Sequence, residues 1–416
     1  MTADQTQPAR PFHYGWVIVI SSYFVGLLTS GLLAYTRGLF LVPMAREMDS
    51  SRLELSLAFT ISGVVGAATA PLAGYLFDRY PVPRLMMLMA VWTTLGYGAL
   101  AAIDGRLGLF LVMGLFFGLA TVHLGGVAPA KLVVDWFDTR RGLALSLIAM
   151  GASTAGVVTP PMAAALIEWL GWRWTFVIYG AITLGVVLPL IAATLRPAPV
   201  RRTSPVRPSD TEDAAGLTAA MPVAERRWRR REYLTSTNFW GIVVIFGVMG
   251  CVFSGVTLHL FAHMTDIGVD PLQASLVLSL MAAMALLSKP IFGMLVDRVD
   301  PRISVVVSLL AQLAGIGLLL TAAAYPALVL AGLAFGFGYG GMVPLRNALT
   351  AIGFGALSFA EITGAARTAM APLTMGGMPL AGWIHDVYGN YSAAFMTFMI
   401  LFGAALVAVL LLRLGR

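Results

Sequence analysis

Stretches of about 20 apolar residues recur along the whole chain between short polar turns, and a helix of that length crosses the roughly 30 Å hydrocarbon core of a bilayer. The pattern predicts twelve membrane-spanning helices, near residues 14–44, 53–77, 85–103, 107–133, 142–168, 174–195, 238–264, 272–296, 303–323, 326–350, 361–385 and 391–413. One long polar segment, 196–237, interrupts the series and leaves six spans on each side. Rich in Pro, Arg, Ser and acidic residues, it reads as a flexible cytoplasmic linker between an N-terminal bundle (1–195) and a C-terminal bundle (238–416). Its end, AERRWRRREY, is either an amphipathic helix on the membrane surface or a solvated basic signal of topology. The N-terminus lacks a short apolar core with a small-residue cleavage site, so the first span is expected to stay in the mature protein.

Composition removes the chain from the soluble class. Hydrophobic residues make up 58% and charged residues 11%, with a mean hydropathy of +0.84, whereas soluble domains carry about a quarter charged residues. The expected fold is therefore all-α and integral to the membrane. With a cytoplasmic N-terminus, 19 of the 27 basic residues lie inside or at the inner boundary, and the outer loops hold Arg46, Arg52, Arg106 and Arg173. That is the positive-inside bias. The net charge of +7 then reports topology and contact with anionic headgroups, and nucleic acid is not an expected partner. One cysteine, Cys251, excludes an intrachain disulfide.

The two halves repeat each other. GYLFDRYPVPR from Gly74 matches GMLVDRVDPR from Gly293, and PMAAALIEWLGWRWTF from Pro161 matches PLAGWIHDVYGNYSAAF from Pro379. Asp78 with Asp297 and Phe176 with Phe395 are both 219 residues apart. Two parallel six-helix repeats facing each other across a cavity form a transporter architecture. The duplicated G-x-L-x-D-R motif resembles the loop motif of the major facilitator superfamily, over essentially the whole chain. More narrowly, YGWVIVISSYF, WFDTRRGLALSLIAMGAS and LLSKPIFGMLVDR resemble the monocarboxylate transporter and oxalate/formate antiporter branch.

None of the 20 acidic residues falls at mid-depth of an expected span. Cations do. Lys289 is about 12 Å from Asp297 along the helix, Arg37 about 15 Å from Glu47, and His123 about 18 Å from Asp135. An unpaired cation at mid-bilayer costs on the order of 3 kcal/mol or more. A cavity with cations and no carboxylates should attract organic anions and repel organic cations. The alternatives are that Lys289 snorkels or bonds carbonyls loosened by Pro290, that Arg37 pairs with Glu47 or Asp49, and that His123 is a packing histidine. Tyr35, two residues from Arg37, is placed in the same cavity.

The resemblance adds expectations residue by residue. Relatives carry a substrate-binding arginine at the point of span 8 occupied by Lys289, and proton-coupled members carry a functional lysine near the position of Arg37. They also carry an aspartate one turn before the span 8 cation, where this chain has Ala285. A second cation of the dicarboxylate antiporter falls near Ala371, which argues for a single carboxylate.

Lys131 and Arg346 follow matched prolines in GGVAPAK and GGMVPLR. Together with Asp78, Arg79, Asp297, Arg298 and Arg367 they are expected in an inner gate, or as positive-inside anchors. His259 and His263 have the i, i+4 spacing of metal ligands but no third ligand, so no metal is expected and an interfacial position is preferred. The tryptophans, Trp172 included, are expected in the aromatic belt at the span ends.

The expected function is secondary transport of small organic anions, most simply monocarboxylates, by alternating access with a proton or a counter-anion as the second solute. A functional monomer in a bacterial inner membrane, both termini cytoplasmic, is expected. Proton-coupled efflux of hydrophobic compounds would want an intramembrane acid, and a non-transporting anion sensor would want a signalling domain. No catalytic motif points to an enzyme, and no cofactor is expected.

Overall fold

The computed structural model describes residues 14–124, 127–137, 141–197, 228–321, 324–355 and 358–412. The N-terminal half holds α1 (Gly15–Ser30, continued by Gly31–Tyr35 and Arg37–Glu47), α2 (Arg52–Arg79), α3 (Val82–Ala102) and α4 (Arg106–Val112, Met113–Phe117 and Gly118–His123, resumed at Val127–Trp136). Next, Arg141–Ile182 is one helical run broken at Gly171, whose φ of +80° lies in the region that favours glycine. The part before the break is α5; the part after it, with Thr183–Val187 and Leu188–Thr194, is α6. The C-terminal half holds α7 (Thr237–Asp266), α8 (Pro271–Arg298), α9 (Pro301–Thr321), α10 (Tyr325–Gly340 with Met342–Phe354), α11 (Phe359–Tyr388) and α12 (Ser392–Leu411).

These rods match the twelve expected spans to within a few residues at each end. Among the described residues, eight helical stretches are long and apolar enough to cross a membrane. One of these, Ala144–Thr194, holds both α5 and α6. The shorter pieces of α1 and α4 stack to the same length. α11 is as long as any but more polar, because it carries Arg367, Thr374 and Asp386 along its length. Leu107, Ile400 and Leu410 are more than 70% exposed, which suits lipid and not water.

Local chemistry sets the rod ends. Ser51 and Glu54 form a reciprocal capping box at the start of α2. The Asp270 carboxylate accepts from the amides of Leu272 and Gln273, with Pro271 at the first turn of α8. α11 ends on Gly389 at φ +73°, its amide donating to the His385 carbonyl. Within the rods, hydroxyls such as Thr29, Thr159 and Thr350 donate to carbonyls four residues back, so they do not meet the apolar surroundings unpaired.

The halves have matching packing. α1 lies on α5 as α7 lies on α11, α2 on α4 as α8 on α10, and α3 on α6 as α9 on α12. Glycine permits the closest of these approaches: a Cβ on Gly151 would lie 2.2 Å from the Tyr23 carbonyl oxygen, and one on Gly377 1.8 Å from that of Cys251. Between the halves α2 meets α11, α5 meets α8, and α1 meets α7. These are the pairs that a two-fold axis along the bundle would generate.

Three departures from expectation concern the edges of the bundle. Of AERRWRRREY, the residues up to Arg227 lie outside the described residues. The rest forms the five-residue helix Arg230–Leu234, flanked by Trp228, whose amide donates to Ser358 Oγ and whose ring meets Phe354 edge-on. This described end of the segment docks on the C-terminal half. Trp172 is 3% exposed and donates to Glu47, so it is a packing residue and not part of the aromatic belt. His259 and His263 are 1% and 8% exposed; α7 is covered there by neighbouring helices, and neither histidine is interfacial.

Candidate substrate site

A five-residue π turn, Gly31–Tyr35, interrupts α1 immediately before Thr36 and Arg37. Such turns insert a residue into the helical ladder and re-aim the side chains of the next turn. Arg37 thereby lines a cavity of about 300 Å³ between the halves. The opposite walls come from Phe253, Ser254 and Thr257 of α7, Tyr339 and Met342 of α10, and Thr374 of α11. Among the described residues that line it, none is acidic. Ser254 Oγ donates to the Thr374 carbonyl at 2.6 Å, tying α7 to α11, whereas Thr257 Oγ1 is buried without a partner. Tyr339 is held by a parallel stack on Phe253, ring centroids 3.5 Å apart.

The other proposed contacts divide. Tyr35 packs against Gly156 of α5 and is within electrostatic reach of Tyr339. Lys289 is not among the residues lining the Arg37 cavity. Its Nζ donates to Ser153 Oγ of α5 at 2.7 Å, in the seam between the halves. His123 closes the described first part of α4; its side chain is outside the described part of the structure.

The two faces of the bundle differ. At the face opposite the termini, Arg52 of α2 meets both carboxylate oxygens of Asp266 on α7, at 3.0 and 3.1 Å, and donates to Tyr391 Oη at 3.0 Å. The amides of Arg52 and Leu53 donate to Asp386 of α11, so the first turn of α2 is capped by a carboxylate from the other half. His259 Nε2 faces the Met378 carbonyl at 3.0 Å and Ser56 Oγ at 3.1 Å, while Nδ1 faces Tyr391 Oη at 3.0 Å. A carbonyl can only accept, so Nε2 carries the proton and Nδ1 accepts from the tyrosine. The chain Arg52 to Tyr391 to His259 thus has one direction of donation. Next to it, Arg173 and Trp172 both donate to Glu47, and the Arg173 hydrogen bond holds that carboxyl below its ordinary range.

Toward the termini, the gate pairing expected of Arg79, Asp297 and Arg298 is not seen among the described residues. Asp297 and Arg298 are exposed, Arg79 lies over the Tyr75 ring at 4.3 Å, Lys131 is half-buried, and the Asp78 side chain is outside the described part. Arg346 is 8% exposed, and the charged group that acts on it is Arg367 of α11. Of the residues expected with Arg346 in the inner gate, Arg367 is the one whose charge acts on it. Sequence reasoning misses the Arg52–Asp266–Asp386 cluster, although Arg52 is one of the scarce basic residues of that face.

The fold, a pair of matched six-helix bundles around a cavity, with the described ion pairs between the halves gathered at the face opposite the termini, defines a membrane transporter. The model of the Major Facilitator Superfamily matches residues 23–351 and 257–416, and the chain belongs to that family. Among curated proteins it is similar to monocarboxylate transporter 13 of Rattus norvegicus, 26% identical over 92% of this chain and 85% of that one. Monocarboxylate transporter 11 of Homo sapiens is 26% identical over 95% and 82%. Among solved structures, a bacterial homologue of the human lysosomal transporter Spinster, in an inward-facing and occupied conformation, superposes with a TM-score of 0.74 at 15% identity, over 97% of this chain and 96% of that one. Family, relatives and fold are those of transporters, not enzymes.

Proposed function

We propose that the protein is a secondary transporter of small organic anions, monocarboxylates in particular, that alternates access between its two halves. The observation carrying this reading is the described cavity wall, which holds the guanidinium of Arg37 and several hydroxyls and, among the described residues, no acid. Its volume of about 300 Å³ suits a small solute. The carboxylate is met by Arg37, with Thr257 and Tyr339 as hydroxyl donors, and Phe253 and Met342 receive the apolar remainder. Lys289 is released from Ser153 to the carboxylate when the halves move. The monocarboxylate transporters among its relatives point the same way.

The termini are cytoplasmic in a bacterial inner membrane, so the latched side is the outer one. The second solute is a proton or a counter-anion, and a pH gradient alone drives uptake only in the first case. Proteoliposomes should accumulate short-chain labelled monocarboxylates saturably and exclude organic cations of the same size. Saturable uptake of cations with no carboxylate uptake would overturn the assignment.

A further inference from the structure

His385 lies in the last turn of α11, at the face opposite the termini. Its side chain is 17% exposed, so water reaches it, and its ring lies against that of Tyr391 with centroids 4.5 Å apart. Both ring nitrogens face a carboxylate: Nε2 is 3.6 Å from Asp266 Oδ2, and Nδ1 is 3.7 Å from Asp386 Oδ1. Nδ1 is buried and has no hydrogen-bond partner among the described residues. A neutral imidazole carries one N–H, so one of its nitrogens turns a lone pair toward a carboxylate. An imidazolium has a donor for each.

Those two oxygens are already in use. Asp266 Oδ2 accepts from the Arg52 guanidinium at 3.1 Å, and Asp386 Oδ1 accepts from the Arg52 amide at 3.0 Å. Both bonds run between the halves, whereas Asp266, His385 and Asp386 belong to α7 and α11, which lie on each other within the C-terminal half. The charged groups described around His385 are thus two acids of its own half and one cation, Arg52, of the other. His259 and Tyr391, the remaining titratable neighbours, face each other at 3.0 Å. Glu54 pairs with Arg106 and Glu47 with Arg173, in each case inside the N-terminal half.

A proton on His385 therefore acts differently in the two arrangements of the halves. With the halves together, the imidazolium repels the Arg52 guanidinium across the oxygen they share, and it repels the positive end of α2. With the halves apart, it keeps both acids and loses that repulsion. By linkage, proton binding favours the parted arrangement. We propose that His385 is a proton-binding site of the latch, where a proton from the side opposite the termini weakens the hold of Asp266 and Asp386 on Arg52 and α2 and opens that side. The proposal rests on the alternating access of the reading above, and it holds whether the second solute is a proton or a counter-anion.

The test is the distance between nitroxide spin labels on Leu107→Cys and Leu272→Cys, exposed positions at the starts of α4 and α8 in opposite halves. The full-length chain carries Cys251→Ser and is held in lipid nanodiscs. From about pH 8 to about pH 5, which brackets the ordinary histidine range, the ratio of long to short distances should rise by about 5-fold or more. In His385→Gln it should stay at its high-pH value. Should that variant not elute as a monodisperse species, His385→Asn takes its place. Arg52→Gln should favour the long distance at both pH values. A pH response undiminished in His385→Gln, absent from the wild type, or directed toward the short distance overturns the proton site. If Arg52→Gln still lengthens the distance in that case, alternation of the halves stands. One unchanging distance in the wild type and in Arg52→Gln at every pH overturns both.

Discussion

Lys289 Nζ donates to Ser153 Oγ at 2.7 Å, and this bond crosses from α8 in one half to α5 in the other. The remaining described hydrogen bonds between the halves are gathered near the latched face, around Arg52, Ser56 and their partners. Among the described hydrogen bonds between the halves, that of Lys289 is therefore set apart from the latched face. If its ammonium exchanges Ser153 for the substrate carboxylate, Lys289→Ala should lower carboxylate uptake by about 10- to 100-fold, the worth of a hydrogen bond to a charged group. Ser153→Ala should leave the maximal rate within about 3-fold, since it removes only the resting partner. Initial rates in proteoliposomes measure both, and equal losses in the two variants would make the pair a structural strut.

The latched face should open when Arg52 is neutralised. Arg52→Gln removes the pair with Asp266 and should shift the balance between closed and open forms by about 1–2 kcal/mol, roughly 5- to 30-fold. With Cys251→Ser as background, Leu258→Cys on the cavity wall reports access by maleimide labelling added from that side. Labelling should rise on Arg52→Gln; an unchanged rate would place the seal elsewhere.

Acid should loosen the tie between α1 and α6. The Glu47 carboxyl is held down chiefly by the hydrogen bond from Arg173, against a smaller opposing effect of burial and helped by Trp172. A depressed folded-state value means that its contribution to stability is present above the ordinary carboxylate pKa of 4.5 and is lost as pH falls through the depressed value. The melting temperatures of wild type and Glu47→Gln should differ at about pH 6, and the gap should shrink as the pH falls below the ordinary value of 4.5. A gap that persists to lower pH would show that the contact does not depend on the charge.

Glycines that look alike in the sequence should respond differently to alanine. A Cβ at Gly377 would overlap the Cys251 carbonyl, whereas one at Gly293, in the repeated motif, meets nothing within 4 Å. Gly377→Ala should cost about 1–3 kcal/mol by overpacking. Gly293→Ala should be neutral or stabilising by up to about 1 kcal/mol. Thermal unfolding in detergent ranks the two, and similar destabilisation by both would contradict the packing described.

The span positions and the duplication were legible because lipid imposes one simple pattern, apolar length, and because Asp78 and Asp297 keep their spacing from Phe176 and Phe395. Arg37 on a cavity wall was also legible, since an arginine at that depth needs a reason. The π turn before it was not: GLLAY carries no mark separating it from ordinary helix. The partner of Lys289 was out of reach because Ser153 is one serine among many until α5 and α8 are brought together. His259 was misjudged for a related reason. Its place at the outer end of the seventh span pointed to the interface, but Ser56 and Tyr391 cover it from elsewhere in the fold.

The bonds made by Arg52 and Asp386 all lie on one side of a scaffold that is otherwise repeated. On the proposed alternating mechanism, those bonds would decide how the empty protein divides its time. A solute arriving at the latched side finds a competent site only in the minor fraction of molecules, and its apparent affinity falls by that fraction. The same solute arriving from the side of the termini meets the intrinsic affinity. Half-saturation should therefore differ between the two directions while the final gradient stays symmetric, so the latch sets which concentrations each compartment must reach before flux becomes sensitive to them.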